Sequence, residues 1–262
     1  MSDDLTYLYD NEQPDAKTRL MGLEAIEDDN TVSLLRKLTN LDGCVCLEIG
    51  AGAGSIAEWL AREVGSSGTV TATDMEPMHL SGSGFAVLRH DITKDELTTE
   101  HYDLVHMRHV LIHLAEPLKA LQNVFSSLKP GGIILAEESD LSTWGPEGRS
   151  SEAAKNVFWK GVNAIFSTYE SRGMDIRIGT RLSALLVNSG FIVNGQYDYK
   201  RSVVGGSPEA IYQSKSANQL ADAIGGGNGL AESIKRFSDC LLDPELSYQS
   251  RTTVSIFAER QV

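Results

Sequence analysis

Basic residues are scarce in this chain. Lys and Arg number 23 against 36 Asp and Glu, a formal net charge of −13, and no Lys/Arg run occurs. A surface of that sign repels phosphate backbones and anionic membrane faces, so nucleic acid and membrane are not expected partners and a small molecule is favoured. The acids crowd the start, where Asp3, Asp4, Asp10, Glu12, Asp15, Glu24, Glu27, Asp28 and Asp29 face only Lys17 and Arg19. Long apolar runs are also missing, and nothing approaches the roughly 18 consecutive apolar residues of a membrane span. The acidic N-terminus has neither the basic nor the apolar region of a signal peptide, so a cytoplasmic protein is expected. Cysteine is sparse: Cys44 and Cys46 lie two apart on one expected strand and Cys240 is remote. That spacing suits neither a disulfide framework nor a metal site, and three reduced, mostly buried thiols are expected.

What is present is ample apolar material, 41% of 262 residues, enough for one domain with elaborations. From residue 44 short apolar runs alternate with amphipathic stretches, the pattern of an α/β fold in which helices cover a mostly parallel sheet. Strands are expected at Cys44–Ile49, Thr69–Asp74, Phe85–His90, Tyr102–Met107, Gly132–Glu138, Phe191–Ser202 and Thr252–Arg260. Helices are expected at Ser55–Val64, near Met75–Ser81, near Lys94–Leu97, at Pro117–Leu128 and at Arg177–Ser189. Two long excursions, 139–178 and 203–251, break the alternation, and such connections commonly serve as lids or binding loops. Both carry helical patterns, the second around Gly225-Gly226-Gly227, a hinge or a plain connector. Ahead of the first strand, Asp15–Ile26 and Thr31–Leu38 read as a helical cap over 1–41.

The most informative segment is Glu48-Ile49-Gly50-Ala51-Gly52-Ala53-Gly54-Ser55, where the first strand gives way to the first helix. Such a turn brings bare backbone N–H groups and a helix N-terminus close to a ligand, with glycines because a Cβ would obstruct the approach. Asp74 ends the second strand twenty residues after Gly54, where an acid commonly takes ribose hydroxyls. The third position of the dinucleotide fingerprint G-x-G-x-x-G is Ser55, and no Tyr-x-x-x-Lys follows, which disfavours an NAD-dependent oxidoreductase.

This E-x-G-x-G-x-G resembles motif I of the class I methyltransferases that use S-adenosylmethionine (SAM), and the likeness runs from about Asp42 to Asp140. Arg89-His90-Asp91-Ile92 is similar to the family's turn after the third strand, Tyr102–Met107 to its fourth strand, and Leu128-Lys129-Pro130-Gly131-Gly132 to the loop before its fifth. Leu185–Phe191 is similar to the helix before strand six. The likeness is to small bacterial metabolite methyltransferases and implies a doubly wound, seven-stranded, Rossmann-like sheet in a domain over 42–262, with 139–178 and 203–251 as substrate-cover insertions. It implies SAM as cofactor, held by Glu48, Gly50, Ala51, Gly52, Gly54 and Ser55, by Asp74 and Met75, by Asp91 and Ile92, and by Met107 and Arg108. Tyr7 or Tyr9 would fold over the cofactor carboxylate. No Asn or Asp followed by Pro-Pro-Tyr/Phe succeeds the fourth strand, so the clamp of DNA-adenine and glutamine-amide methyltransferases is missing.

Methyl transfer is an in-line displacement that asks the protein mainly to position the acceptor and remove its proton. Candidate bases near the strand ends are His106, His109, His113, Glu137, Glu138 and Asp140. His109, just past the fourth strand, is the first choice. His113 matches a family position that mostly packs within the protein. His109 and His113 have the i, i+4 spacing of metal ligands, yet H-E-x-x-H and a nearby Cys are absent, and no metal is expected. The acceptor is a small organic molecule, methylated at oxygen, with nitrogen or carbon left open. A SAM-binding fold without methyl transfer is the alternative, since fold alone does not decide chemistry. The oligomeric state is left open, a homodimer included.

Overall fold

A computed structural model describes residues 16–80, 82–225 and 229–261. Tyr7, Tyr9, Gly226 and Gly227 therefore lie outside the described residues. In chain order the strands are β1 (Val45–Ile49), β2 (Thr69–Asp74), β3 (Ala86–Arg89), β4 (Tyr102–Arg108), β5 (Leu128–Asp140), β6 (Gly145–Pro146), β7 (Ile192–Tyr199), β8 (Ser202–Val204), β9 (Ser247–Gln249) and β10 (Thr252–Glu259). The α-helices are α1 (Ala16–Leu38), α2 (Ser55–Glu63), α3 (Pro117–Ser127), α4 (Glu152–Glu170), α5 (Ile178–Asn188), α6 (Pro208–Ile224) and α7 (Leu230–Cys240). They divide into two compact units: the described parts of 27–138, 178–198 and 254–262, and the described parts of 1–26, 139–177 and 199–253.

The first unit is built on a seven-stranded sheet of order β3-β2-β1-β4-β5-β10-β7. The β1–β2, β1–β4, β2–β3 and β4–β5 pairs are parallel. Gly131 N–H donates to the Arg260 carbonyl and Arg260 N–H to that of Gly132, so β10 runs antiparallel to β5. Val-Cys-Leu-Glu-Ile of β1 is buried almost throughout, as a central strand covered on both faces must be. On one face Cys46, Val70, Ala72, Leu104 and Leu135 pack with Ile56, Ala57 and Leu60 of α2 and with Leu34 and Leu35 of α1. The helix α3 starts on Pro117, whose missing N–H would be unpaired there anyway, and buries Ala120, Leu121 and Val124. Strands β1 and β4 lie side by side where the order reverses, the switch point at which open α/β sheets bind ligands.

In the second unit α7 packs against both α4 and α6. Gly161 of α4 has no room for a side chain, since a Cβ there would stand 2.1 Å from the Phe237 Cβ of α7. Phe158 meets Trp144, Phe237 and Tyr248 with ring centroids 6.0, 5.0 and 5.3 Å away. Arg201 donates to the Ile26 carbonyl at 2.8 Å, pairs with Glu209 at 2.8 Å and stacks on Tyr199. A three-stranded sheet, β6-β9-β8, completes the unit.

All seven expected strands are in the large sheet. The small sheet was not foreseen, because strands of two and three residues are too short to show a period. The two helices expected ahead of β1 are one, α1, since neither Pro nor Gly interrupts Glu27–Asn30. The helix expected near 75–81 is only a 3-10 turn, Pro77–His79. That near 94–97 is a turn, because the Asp91 carboxylate accepts the Thr93 N–H and hydroxyl and competes with helical bonding. All three cysteines are free, Cys46 buried and the others half-buried.

Candidate active site

The site is built on the first unit, at the carboxyl ends of β1, β2 and β4. After Ile49 the chain turns through Gly50, Gly52 and Gly54 at φ +67°, +59° and +100°, left-handed values that glycine adopts without strain. Gly50 has no space beside it either, since a Cβ would stand 2.5 Å from Val110 Cγ2. Gly54 precedes α2 and no side chain caps the helix, which leaves the first-turn amides facing the turn. Asp74 ties the turn to β2, its Oδ2 accepting from Gly52 N–H at 3.1 Å and its Oδ1 from Glu76 N–H at 2.9 Å. Each carboxylate oxygen keeps lone-pair capacity beyond one backbone donor, so Asp74 fits a diol at the mouth of the turn.

Behind the turn lies a buried charged chain. His106 Nδ1 is 2.7 Å from Glu48 Oε2, and its Nε2 is 3.0 Å from Glu137 Oε2. Glu137 also accepts from the hydroxyls of Thr31 on α1 and Ser255 on β10. Arg108 donates to Thr31 Oγ1 at 2.9 Å and to Asp28 at 2.7 Å. Burial opposes charging of His106, but the two carboxylates outweigh it and push its pKa up to about 9. Burial likewise works against ionised Glu137, while the His106 bond and charge, Arg108 and Ser255 hold its carboxyl below the usual range. The network clamps one imidazole between two carboxylates, which favour its protonated form. His106 and Glu137, considered as bases from their strand-end positions, are interior groups with no exposed surface. Glu48 and Arg108, expected at the cofactor, are engaged within the protein in the same way. The sequence marks none of the contributions of Asp28, Thr31 and Ser255, which come from distant elements; buried polar residues on adjoining strands are the only signal.

His109 follows β4 with φ +55°, left-handed and uncommon for a non-glycine residue. It is half-buried, and its N–H donates to the Glu137 carbonyl at 2.9 Å. Glu138 faces the opposite side of β5 from Glu137: its Oε1 accepts the N–H groups of Val110 at 2.9 Å and Leu111 at 2.6 Å. Burial pushes this carboxyl up to about 8, against the lowering effect of those backbone donors. His113 ends the 3-10 turn Leu111–His113, with its N–H on the Val110 carbonyl. Asp91 is held below the usual carboxylate range, where bonds from Thr93 and Lys94 outweigh its burial, and Lys94 lies 3.1 Å from it. Ile92 and Met107 are buried, while Met75 is half exposed. Asp140, in the second unit, caps the 3-10 turn Leu141–Thr143 through the Ser142 N–H and hydroxyl. Among the described residues no group of three or more His, Cys, Asp or Glu could hold a metal ion, and no helix is long and apolar enough to cross a membrane.

Residues 22–191 match the family model described as a methyltransferase domain. A ubiquinone biosynthesis O-methyltransferase from Vibrio cholerae is 30% identical over 111 residues, 38% of this chain and 44% of the relative. The match therefore spans less than half the length of that relative. Solved structures share the fold, among them two methyltransferases. The phosphoethanolamine N-methyltransferase 2 of Haemonchus contortus, in complex with S-adenosyl-L-methionine, is 18% identical with a TM-score of 0.54, over 100% of this chain and 61% of that one. A SAM-dependent methyltransferase from Mesorhizobium loti is 16% identical with a TM-score of 0.52, over 87% of this chain and 96% of that one.

Proposed function

We propose, because the chain belongs to the class I methyltransferases that depend on SAM, that it methylates a small organic acceptor at an acidic oxygen, a phenol above all. The bond from Gly52 N–H to Asp74 Oδ2 carries the reading, since it holds a carboxylate at the mouth of a glycine turn whose helix no side chain caps, a placement that suits ribose hydroxyls. In this reading the turn from Gly50 through Ala51, Gly52 and Gly54 to Ser55 approaches the cofactor with its backbone, and Asp74 takes the ribose hydroxyls. Asp91 and the Ile92 N–H read the adenine, flanked by Met75 and Met107. Tyr9, outside the described residues, is assigned to the cofactor carboxylate. Glu48 and Arg108 shape the strand ends from within. When bound, SAM supplies a methyl group activated by its sulfonium.

His109 is the proposed general base. It takes the proton of the acceptor oxygen as the oxygen–carbon bond forms and the sulfur–carbon bond breaks. Glu138 and Asp140 suit that role less well, because each has an oxygen already accepting backbone N–H, and His113 lies one turn further along. An ordinary imidazole titrates near 6.5, which matches a phenol or carboxylic acid far better than an aliphatic alcohol. That the Vibrio relative is an O-methyltransferase supports oxygen as the target, and the net charge of −13 supports a small molecule over nucleic acid.

The test has two arms. Calorimetry should give micromolar binding of S-adenosylhomocysteine and none of NAD; tighter NAD binding would overturn the cofactor assignment. Transfer from deuteromethyl SAM to a panel of phenols, carboxylic acids and amines should label phenolic oxygen. In that assay His109→Ala should lower turnover by about 10²–10⁴-fold with affinity for S-adenosylhomocysteine nearly unchanged.

A further inference from the structure

The loop after β4 is held by β5 at three successive amides. His109 N–H reaches the Glu137 carbonyl, and Val110 and Leu111 N–H both reach one oxygen of the Glu138 side chain. Within those three residues His109 adopts its left-handed φ of +55° and Val110 sets a methyl against Gly50 at a spacing that excludes any Cβ. The second Glu138 oxygen is buried and has no hydrogen-bond partner among the described residues. A carboxyl this deep, serving the fold as an acceptor for successive backbone donors of one loop, with the Ile112 N–H acting on it beside those of Val110 and Leu111, is doing the work of a missing strand partner.

We infer that Glu138 is the positioning residue of the transfer site: by accepting the Val110 and Leu111 N–H groups it holds His109 in its left-handed conformation and seats Val110 on the glycine turn. The inference rests on the reading of His109 as base. It couples two sides of the site through one side chain, since releasing the two amides frees both the base and the residue that closes on Gly50. The acceptor geometry matters here and the negative charge does not, because a neutral acid or amide oxygen accepts the same two bonds.

Three variants of the full chain test it: Glu138→Gln, which keeps an acceptor oxygen, Glu138→Asp, which draws it back by one methylene, and Glu138→Ala, which removes it. The readouts are amide exchange at Val110 and Leu111, the ring titration of His109 by NMR, and the dissociation constant of S-adenosylhomocysteine. Glu138→Gln should stay within about threefold of wild type in exchange and affinity. Glu138→Ala should speed exchange at both amides by at least about 10²-fold, displace the His109 titration and weaken S-adenosylhomocysteine by about tenfold. Should the alanine variant not fold, Glu138→Asp carries the same expectation in milder form. Wild-type exchange and titration in Ala or Asp would overturn the inference, and so would a Gln variant as impaired as Ala, since the acid proton would then be what counts. If His109→Ala kept full turnover, the base assignment would fail while the exchange data still judged the Glu138 clamp.

Discussion

A histidine with both ring nitrogens on carboxylates and no exposed surface makes the stability of this protein depend on pH. The folded-state pKa of His106, about 9, lies above the ordinary 6.5. Its contribution is therefore fully present below about pH 6.5 and is lost as pH rises through about 9. Glu138 acts in the same direction: its folded carboxyl, at about 8 against an ordinary 4.5, keeps a proton that the unfolded chain releases. Stability should fall from about pH 5 toward pH 9 in urea titrations, and Glu138→Gln should flatten the lower part of that slope. His106→Leu takes away the imidazole that both Glu48 and Glu137 contact and leaves Glu137 only the charge of Arg108, so a loss of about 3–5 kcal/mol is expected near neutral pH. A variant as stable as wild type would show that the two carboxylates share a proton.

Among the elements, the β1–α2 turn and the α4–α7 contact both resist added atoms, for different reasons. Gly52 has φ +59° and its N–H is bound to Asp74, so Gly52→Val strains the backbone and displaces the acid proposed for the ribose. Binding of S-adenosylhomocysteine should disappear in calorimetry while the far-ultraviolet circular dichroism stays native. Gly161 sits inside a regular helix, where the obstacle is Phe237 and not dihedral strain. Gly161→Val must push α7 away, and a destabilisation of about 1–3 kcal/mol is expected from overpacking. A melting temperature unchanged in Gly161→Val would mean that α7 moves aside freely.

At the scale of the whole molecule, a ligand that binds only the folded state raises its stability by mass action. S-adenosylhomocysteine at about 100 times its dissociation constant should add about 2.7 kcal/mol, and NAD at the same concentration should add nothing. Duplex DNA should also leave the melting temperature unchanged at low salt, where a chain of net charge −13 repels a phosphate backbone most strongly. A DNA-dependent shift would reopen the choice of acceptor class.

The sequence by itself determined the alternation of strands and helices, the seven strands of the large sheet, the glycine turn and the spacing to Asp74. Each of these is a local property: a run of buried residues, a left-handed turn, an acid at a strand end. Period-two alternation also says that Glu137 and Glu138 face opposite ways. It does not say what each one meets. That was decided by the position of β5 between β4 and β10, which turns Glu137 toward His106, Ser255 and α1 and leaves Glu138 for the loop after β4. The same holds for His106, read from sequence as a candidate base and found buried between two carboxylates that favour its charged form. Its charge depends on Glu48, fifty-eight residues earlier, and Glu137, thirty-one later, and only the folded sheet brings both carboxylates to one imidazole in a place that water does not reach.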